Sequence, residues 1–334
     1  MMSYIKKILQ TKSGWGKEFN KIHSDLLDED VELSKLRFII ACGRSGTSWL
    51  GRVISETSTP LRYCHEILTY VNPFYYFSKK NDFVANRYFD KCDADNPLVK
   101  IYSATSSKKI NLDKFLPKRT RQIKRNDQNF EFVLHKEVHA LLATEALVSF
   151  FKTPFLLITR NPAYVVDSLF DYHPLNSVIW RNESEYIKDP VFLNRFFPDS
   201  GQRIIEMLSK YPDDGMNREN TIIAKAITVG VINKMLYSIS KKYENVMYIK
   251  YEELCKNPFG VYEQIFNFFG FDFGEKARQS IANTTKAKDE KYDPMSICRN
   301  SGEQVERKLK SLTDEEFKKV SNILSELGLS VEDY

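Results

Sequence analysis

The run Gly43-Arg44-Ser45-Gly46-Thr47-Ser48-Trp49-Leu50 offers the clearest chemistry in the chain. It follows an apolar segment, Leu36 to Ala41, and enters an amphipathic stretch with Trp49, Leu50, Val53 and Ile54 on one side. A buried strand, a glycine turn and a helix N-terminus form a cradle for a phosphate-like anion, where backbone N–H groups converge and the helix dipole favours negative charge. The loop is not a nucleotide-triphosphate loop of the G-x4-G-K-[ST] kind. With Gly46 as the second glycine, Ala41 takes the place of the first and Thr47 that of the lysine. With Gly51 instead, Arg52 replaces the lysine and Val53 the magnesium-binding hydroxyl. The cradle is kept while the metal ligand is missing, so we expect no metal.

A second junction of the same kind follows Pro154-Phe155-Leu156-Leu157-Ile158-Thr159, a continuously apolar segment that reads as a buried strand. It ends on a cation, Arg160; Asn161 and Pro162 are a helix cap and a first-turn proline, and Val165, Val166, Leu169 and Phe170 are the inward face of the helix they start.

The elements that must hold these junctions alternate. Phe130 to Leu134 reads as a strand and Ala140 to Phe151 as a helix; a long helix covers about Glu219 to Lys242, and a strand runs from Val246 to Tyr251. Asn257-Pro258 starts a further helix that Gly270 ends, and Thr313 to Glu316 is a capping box for the last one. Strands alternating with helices imply an α/β fold, a central parallel sheet flanked by helices, with ligands beyond the carboxyl ends of the strands. We expect a peripheral helical segment over 1–34 and a single domain over 35–334, with an irregular acceptor-side insertion at about 172–217, and a polar, loop-like stretch from Asn283 to Arg307.

Composition sets the limits. Net charge is +5, a modest bias that suits anionic ligands and does not call for nucleic acid. No apolar run approaches the roughly 20 residues that span a bilayer, and the N-terminus lacks a signal-peptide core. A basic patch from Lys108 to Arg125, with eight Lys/Arg and one acid, reads as a solvated face that leaves room for peripheral membrane contact. Five scattered cysteines (Cys42, Cys64, Cys92, Cys255, Cys298) form no C-x-x-C pair and point to free thiols in a reducing, cytoplasmic setting.

Three blocks, in order, resemble the sulfotransferases that use PAPS (3′-phosphoadenosine-5′-phosphosulfate). Gly43 to Leu50 is similar to their 5′-phosphosulfate loop. Leu156 to Pro162, with Val165, Val166 and Ser168, is similar to their 3′-phosphate motif. Tyr251-Glu252-Glu253-Leu254, Asn257-Pro258 and the helix to Gly270 match a third shared block. The resemblance implies a P-loop-like sulfotransferase fold, PAPS as co-substrate, PAP as product and a hydroxyl-bearing acceptor. It implies donor contacts from Arg44, Ser45, Gly46, Thr47, Ser48, Trp49, Arg160 and Ser168. Arg160 offers a planar fork for the 3′-phosphate, and Ser168 follows on the same helix about two turns later.

Arg44 stands where the soluble small-molecule enzymes carry lysine, so the loop is closer in style to carbohydrate, tyrosylprotein and bacterial members. On that pattern Glu66 corresponds to the general base. Lys136, with Arg44, corresponds to the cations on the leaving oxygen. His65 is a rival base, and since neighbours on an extended chain point oppositely, only one of the two should face the donor. His135 and His139 are runners-up, because Leu-His-Lys-Glu-Val-His departs from the Lys-Thr-His motif of the soluble enzymes. Among late basic residues, Arg299, Arg307 and Lys308 are candidates to close over the 3′-phosphate, with Arg299 the best substitute for a missing Arg-Lys-Gly triplet. The aromatic stretch Tyr70 to Phe77 and the insertion are expected to shape the acceptor pocket, and the Glu-type base tilts the acceptor toward a glycan, glycolipid or other metabolite hydroxyl. A P-loop kinase or NTPase and a non-catalytic nucleotide-binding relative are the alternatives.

Overall fold

The computed structural model describes residues 31–68, 88–108, 129–172, 183–213, 215–285 and 309–330. Most of the 1–34 segment, Tyr70 to Phe77, the basic patch beyond Lys108, and Arg299, Arg307 and Lys308 lie outside the described residues.

Five strands make one sheet: β1 (Leu36–Ala41), β2 (Leu61–His65), β3 (Phe132–Glu137), β4 (Phe155–Thr159) and β5 (Val246–Lys250). Their order is β2-β3-β1-β4-β5, with every neighbouring pair parallel. β1 lies at the centre because it is apolar on both faces. Phe38 and Ile40 feed one core, while Ile39 and Ala41 feed the other. Parallel strands need crossovers, and helices supply them. Helix α1 (Thr47–Ile54) follows β1, and α2 (Pro97–Ala104) lies between β2 and β3. Helix α3 (Thr144–Phe151) follows β3, and α4 (Pro162–Tyr172) follows β4. Then come α5 (Glu183–Tyr186), α6 (Pro190–Phe196), α7 (Gly201–Lys210) and α8 (Arg218–Lys242). After β5 come α9 (Tyr251–Lys256), α10 (Pro258–Phe269), α11 (Glu275–Thr285) and α12 (Asp314–Glu326). Helices α2, α3, α4, α8 and α12 cover the Phe38 face, whereas α1, α9, α10 and α11 cover the Ile39 face.

The expected α/β sheet is present, and three local expectations change. The described part of the 172–217 insertion is helical, and Phe192, Leu193, Ile204 and Leu208 from α6 and α7 join the core. Helix α6 has seven residues, too few to establish a period, whereas α7 does carry an apolar stripe, through Ile204 and Leu208, inside the stretch expected to be irregular. β3 runs on to Glu137 instead of stopping at Leu134, because its register continues through Ile39↔Lys136 and Ile40↔Glu137. Lys136 therefore belongs to the strand. In the polar stretch expected as a loop, residues 283–285 end α11, and the remainder up to Arg307 lies outside the described residues. Helix α8 has the length and hydropathy of a membrane span, yet 83% of its most apolar window is buried against the sheet and its helices, as befits a core helix apolar all round.

One buried carboxylate fixes the last helix. Asp167 Oδ1, on α4, accepts the N–H groups of Lys310, Ser311 and Leu312 at 3.0, 2.8 and 3.0 Å. Thr313 and Glu316 then close the capping box that starts α12. Asp167→Ala leaves three donors without that acceptor and should lower unfolding stability by about 1–3 kcal/mol. Urea denaturation measures this; a change within ~0.5 kcal/mol, the range of ordinary surface substitutions, would contradict the role.

Candidate active site

At the carboxyl end of β1 the chain turns through two left-handed residues, Arg44 (φ 67°) and Gly46 (φ 82°). Ser45 N donates to Cys42 O at 3.3 Å and tightens the turn. Gly46 must be glycine on two counts: its φ, and a Cβ there would sit 2.2 Å from the Tyr251 ring. Gly46 is also the N-cap of α1 and supplies no side-chain cap. The first bond of the helix is Leu50 N to Gly46 O, so the amides of residues 47–49 stand ahead of the ladder at the positive end of the dipole. The Trp49 side chain turns the other way. Its indole N–H donates to Thr284 Oγ1 at 2.7 Å and its ring packs edge-on against Tyr251 and Tyr262, so only its backbone remains with the loop.

Arg160 joins the second junction to the first. Its Nη1 donates to the Arg44 carbonyl at 2.8 Å, and its guanidinium lies 4.6 Å from the centre of the Tyr251 ring. Its own carbonyl accepts Asn233 Nδ2, and Asn161 N donates to Glu252 Oε1. Asn161 caps α4 through Ala163 N, as its sequence position suggests. Arg44 Nε donates to Ser168 Oγ at 3.1 Å, a second link between the junctions. Ser45 Oγ and Arg160 Nη2 are two of several buried donors without a hydrogen-bond partner among the described residues; the hydroxyls of Tyr102, Thr153 and Tyr262 are others, and they lie in the core. Such groups are costly in a folded interior, and each is a donor for an anion at its own junction.

A second cluster stands at the ends of β2 and β3. Glu66 N donates to Lys136 O at 2.7 Å, and Lys136 Nζ forms an ion pair with Glu66 Oε1. Glu66 is itself left-handed (φ 48°), which breaks strand alternation. His65 and Glu66 consequently come together, with Nε2 3.6 Å from Oε1, and the expectation that they face opposite ways is corrected. Tyr63 OH meets His65 Nδ1 at 3.2 Å. Burial works to raise the Glu66 carboxyl, but Lys136, with His65 and His139 adding to it, outweighs burial and holds it at about 2. Because β3 lies beside β1, Lys136 and the Arg44 loop share one edge of the sheet.

His135 takes no part. It is buried, stacked 5.0 Å from Phe38, with Nε2 2.8 Å from Thr105 Oγ1, and burial with Arg62 pushes it down to about 3. It is a neutral core residue. The residues that sequence reasoning missed are supporting ones. Tyr251, named from the sequence only as part of the third shared block and without a role, is the platform under Gly46 and Arg160; Asn233 betrays itself as an asparagine within an apolar helix. Glu137 has no such sequence signal: its Oε1 accepts Val138 N and His139 N, and its Oε2 accepts Leu68 N. Glu137 thus pins the loops after β2 and β3, which carry Glu66 and His139. Arg299 lies outside the described residues.

A family model for the sulfotransferase domain matches residues 36–321, and the chain belongs to that family. It is a transferase of sulfuryl groups. Comparison with curated proteins found no match. Among solved structures, mouse sulfotransferase SULT7A1 complexed with PAP is similar at 14% identity and TM-score 0.39, covering 92% of this chain and 89% of that one. Sulfotransferase STF1 from Mycobacterium tuberculosis H37Rv is similar at 14% identity and TM-score 0.43, covering 81% and 75%. The sulfotransferase domain from the curacin biosynthetic pathway gives 14% and 0.37, covering 86% and 96%.

The two carboxyls of the second cluster act oppositely on stability. Burial, then the Glu66 charge, raises Glu137 to about 7 against its N–H bonds. Its contribution is complete below its ordinary 4.5 and is lost as pH rises through about 7. Glu66, lowered to about 2, contributes above 4.5 and loses that as pH falls through about 2. Glu137→Gln should therefore flatten the fall in stability between about pH 5 and 8, read by urea denaturation across that range. An unchanged slope would remove the assignment.

Proposed function

We propose that the protein moves a sulfuryl group from PAPS to an acceptor hydroxyl and releases PAP. The observation that carries this reading is the pair of unpartnered buried donors, Ser45 Oγ and Arg160 Nη2, at two junctions joined through Arg44. A ligand with a phosphosulfate and a separate 3′-phosphate needs two such sites on one sheet edge. The Gly46–Trp49 amides and Ser45 suit the phosphosulfate; Arg160 and Ser168 suit the 3′-phosphate. A kinase or NTPase reading lacks its lysine and magnesium hydroxyl.

When bound, PAPS supplies the sulfuryl group, whose bond to the phosphate oxygen breaks as the acceptor oxygen bonds to sulfur. Glu66 accepts the proton that the acceptor hydroxyl gives up. At about 2, and paired with Lys136, its carboxylate is a weak base. Lys136 is the group that links the two tasks: turned toward negative charge in the Arg44 loop, it neutralises the leaving oxygen with Arg44 and frees Glu66 to become more basic. His65 and His139 are close enough to support the charge on Glu66. The buried Cys255 thiol forms no disulfide among the described residues, which supports the cytoplasmic location we propose.

Transfer of labelled sulfate from PAPS into a panel of alcohols, phenols and glycans tests the activity. Glu66→Gln should lower kcat by about 10²–10⁴-fold while PAP affinity, by calorimetry, stays within about threefold. Near-normal turnover would move the base role to His65, and intact PAP binding with no transfer by the wild type would favour a non-catalytic relative.

A further inference from the structure

Tyr63 and His65 stand two residues apart on β2 and share one face of the sheet, the face that α1 covers. The Tyr63 ring is buried there, and its hydroxyl occupies the space beside Gly51, where a Cβ on α1 would collide with it. From that socket the hydroxyl meets His65 Nδ1 at 3.2 Å, while the other ring nitrogen, Nε2, lies 3.6 Å from Glu66 Oε1. Strand alternation alone would send Glu66 to the opposite face; its left-handed backbone returns the carboxylate to His65. The other charged and titratable groups at Glu66 come from β3 and the loop after it: Lys136, Glu137 and His139. Glu66 is held ionised and offers only lone pairs. The nitrogen facing it must therefore carry a proton. In a neutral ring Nδ1 is then the acceptor, and the Tyr63 hydroxyl is its donor. Neither nitrogen is left to take a proton from an acceptor hydroxyl.

We propose that His65 is a positioning residue and not a base: Tyr63 fixes its Nε2–H tautomer, and that N–H holds the Glu66 carboxylate in place when Lys136 turns to the donor. The proposal rests on the sulfotransferase reading above and deepens it. A neutral N–H keeps the carboxylate aimed but leaves it more basic than a second cation would. Because Tyr63 is seated against α1, the helix that ends in the anion cradle also places the ring that aims the base.

Two measurements test this. Imidazole nitrogen NMR of His65 in the unliganded wild type should show, for the neutral ring, a protonated Nε2 and an acceptor Nδ1, and Tyr63→Phe should mix the tautomers. Labelled-sulfate transfer from PAPS into the panel of alcohols, phenols and glycans reads the consequence. His65→Ala should lower kcat by about tenfold or more, as loss of a hydrogen bond to a charged group implies. His65→Gln, which keeps an N–H donor but has no titratable nitrogen, should restore kcat to within about threefold of wild type. Tyr63→Phe should lower kcat about 3–10-fold and cost little more in the His65→Gln background, since Tyr63 acts through His65. PAP affinity should stay within about threefold throughout. An Nδ1–H tautomer, a His65→Gln protein as inactive as His65→Ala, or a Tyr63→Phe loss that persists in full beside His65→Gln would each overturn the assignment. If the wild type binds no PAP and transfers to nothing, the donor reading fails, and the tautomer still decides whether Tyr63 fixes the ring.

Discussion

Everything at the sheet edge depends on where Arg160 is held. Its guanidinium donates to the Arg44 carbonyl, lies over the Tyr251 ring and retains one buried, unpartnered nitrogen. The same ring leaves no room for a Cβ at Gly46. One aromatic residue from the start of α9 therefore sets both the shape of the first junction and the position of the cation at the second. The parallel sheet makes this feasible: β1 and β4 are adjacent, so both strand-to-helix turns emerge side by side. Asn233 from α8 and Glu252 from α9 hold the two ends of the peptide group that links Arg160 to Asn161. The cradle is preorganised by contacts from both faces of the sheet.

The second constraint is electrostatic. Lys136 is almost wholly buried and satisfies its charge on Glu66, the residue we propose as the base. A buried pair of this kind contributes little net stability, but separating it is costly unless each partner finds another opposite charge. An anionic donor near the Arg44 loop would give Lys136 that second opposite charge. Glu137 beneath them, accepting three N–H groups, keeps the loops that carry Glu66 and His139 in register.

Much of this was legible in the residues. β1, its loop and α1 follow from an apolar run broken by glycine, and the caps Asn161, Asn257 and Thr313 each act where their positions suggest. What stayed hidden shares one cause: polar groups whose partners come from distant elements. β2 contains Arg62, fully buried because Thr105 O, Ser107 O and the Phe130 ring receive its guanidinium. β3 ends in His135, Lys136 and Glu137, all buried and each partnered from elsewhere, so a charged run that reads as exposed loop is strand. The meeting of His65 and Glu66 depends on a left-handed φ at a glutamate, which no periodicity reveals. Short helices such as α6 defeat period-counting for a simpler reason: they have too few turns to establish one.

The central claim is that Arg160 makes the second of two anion sites for one nucleotide. The most direct measurement compares calorimetric affinities for PAP and for the same nucleotide lacking its 3′-phosphate, in the wild type and in Arg160→Ala. PAP should bind the wild type at least about tenfold more tightly, as a charge-assisted hydrogen bond of about 1.5–3 kcal/mol implies, and Arg160→Ala should bring the two affinities together. Equal affinities in the wild type, or a preference for PAP that survives in Arg160→Ala, would contradict it.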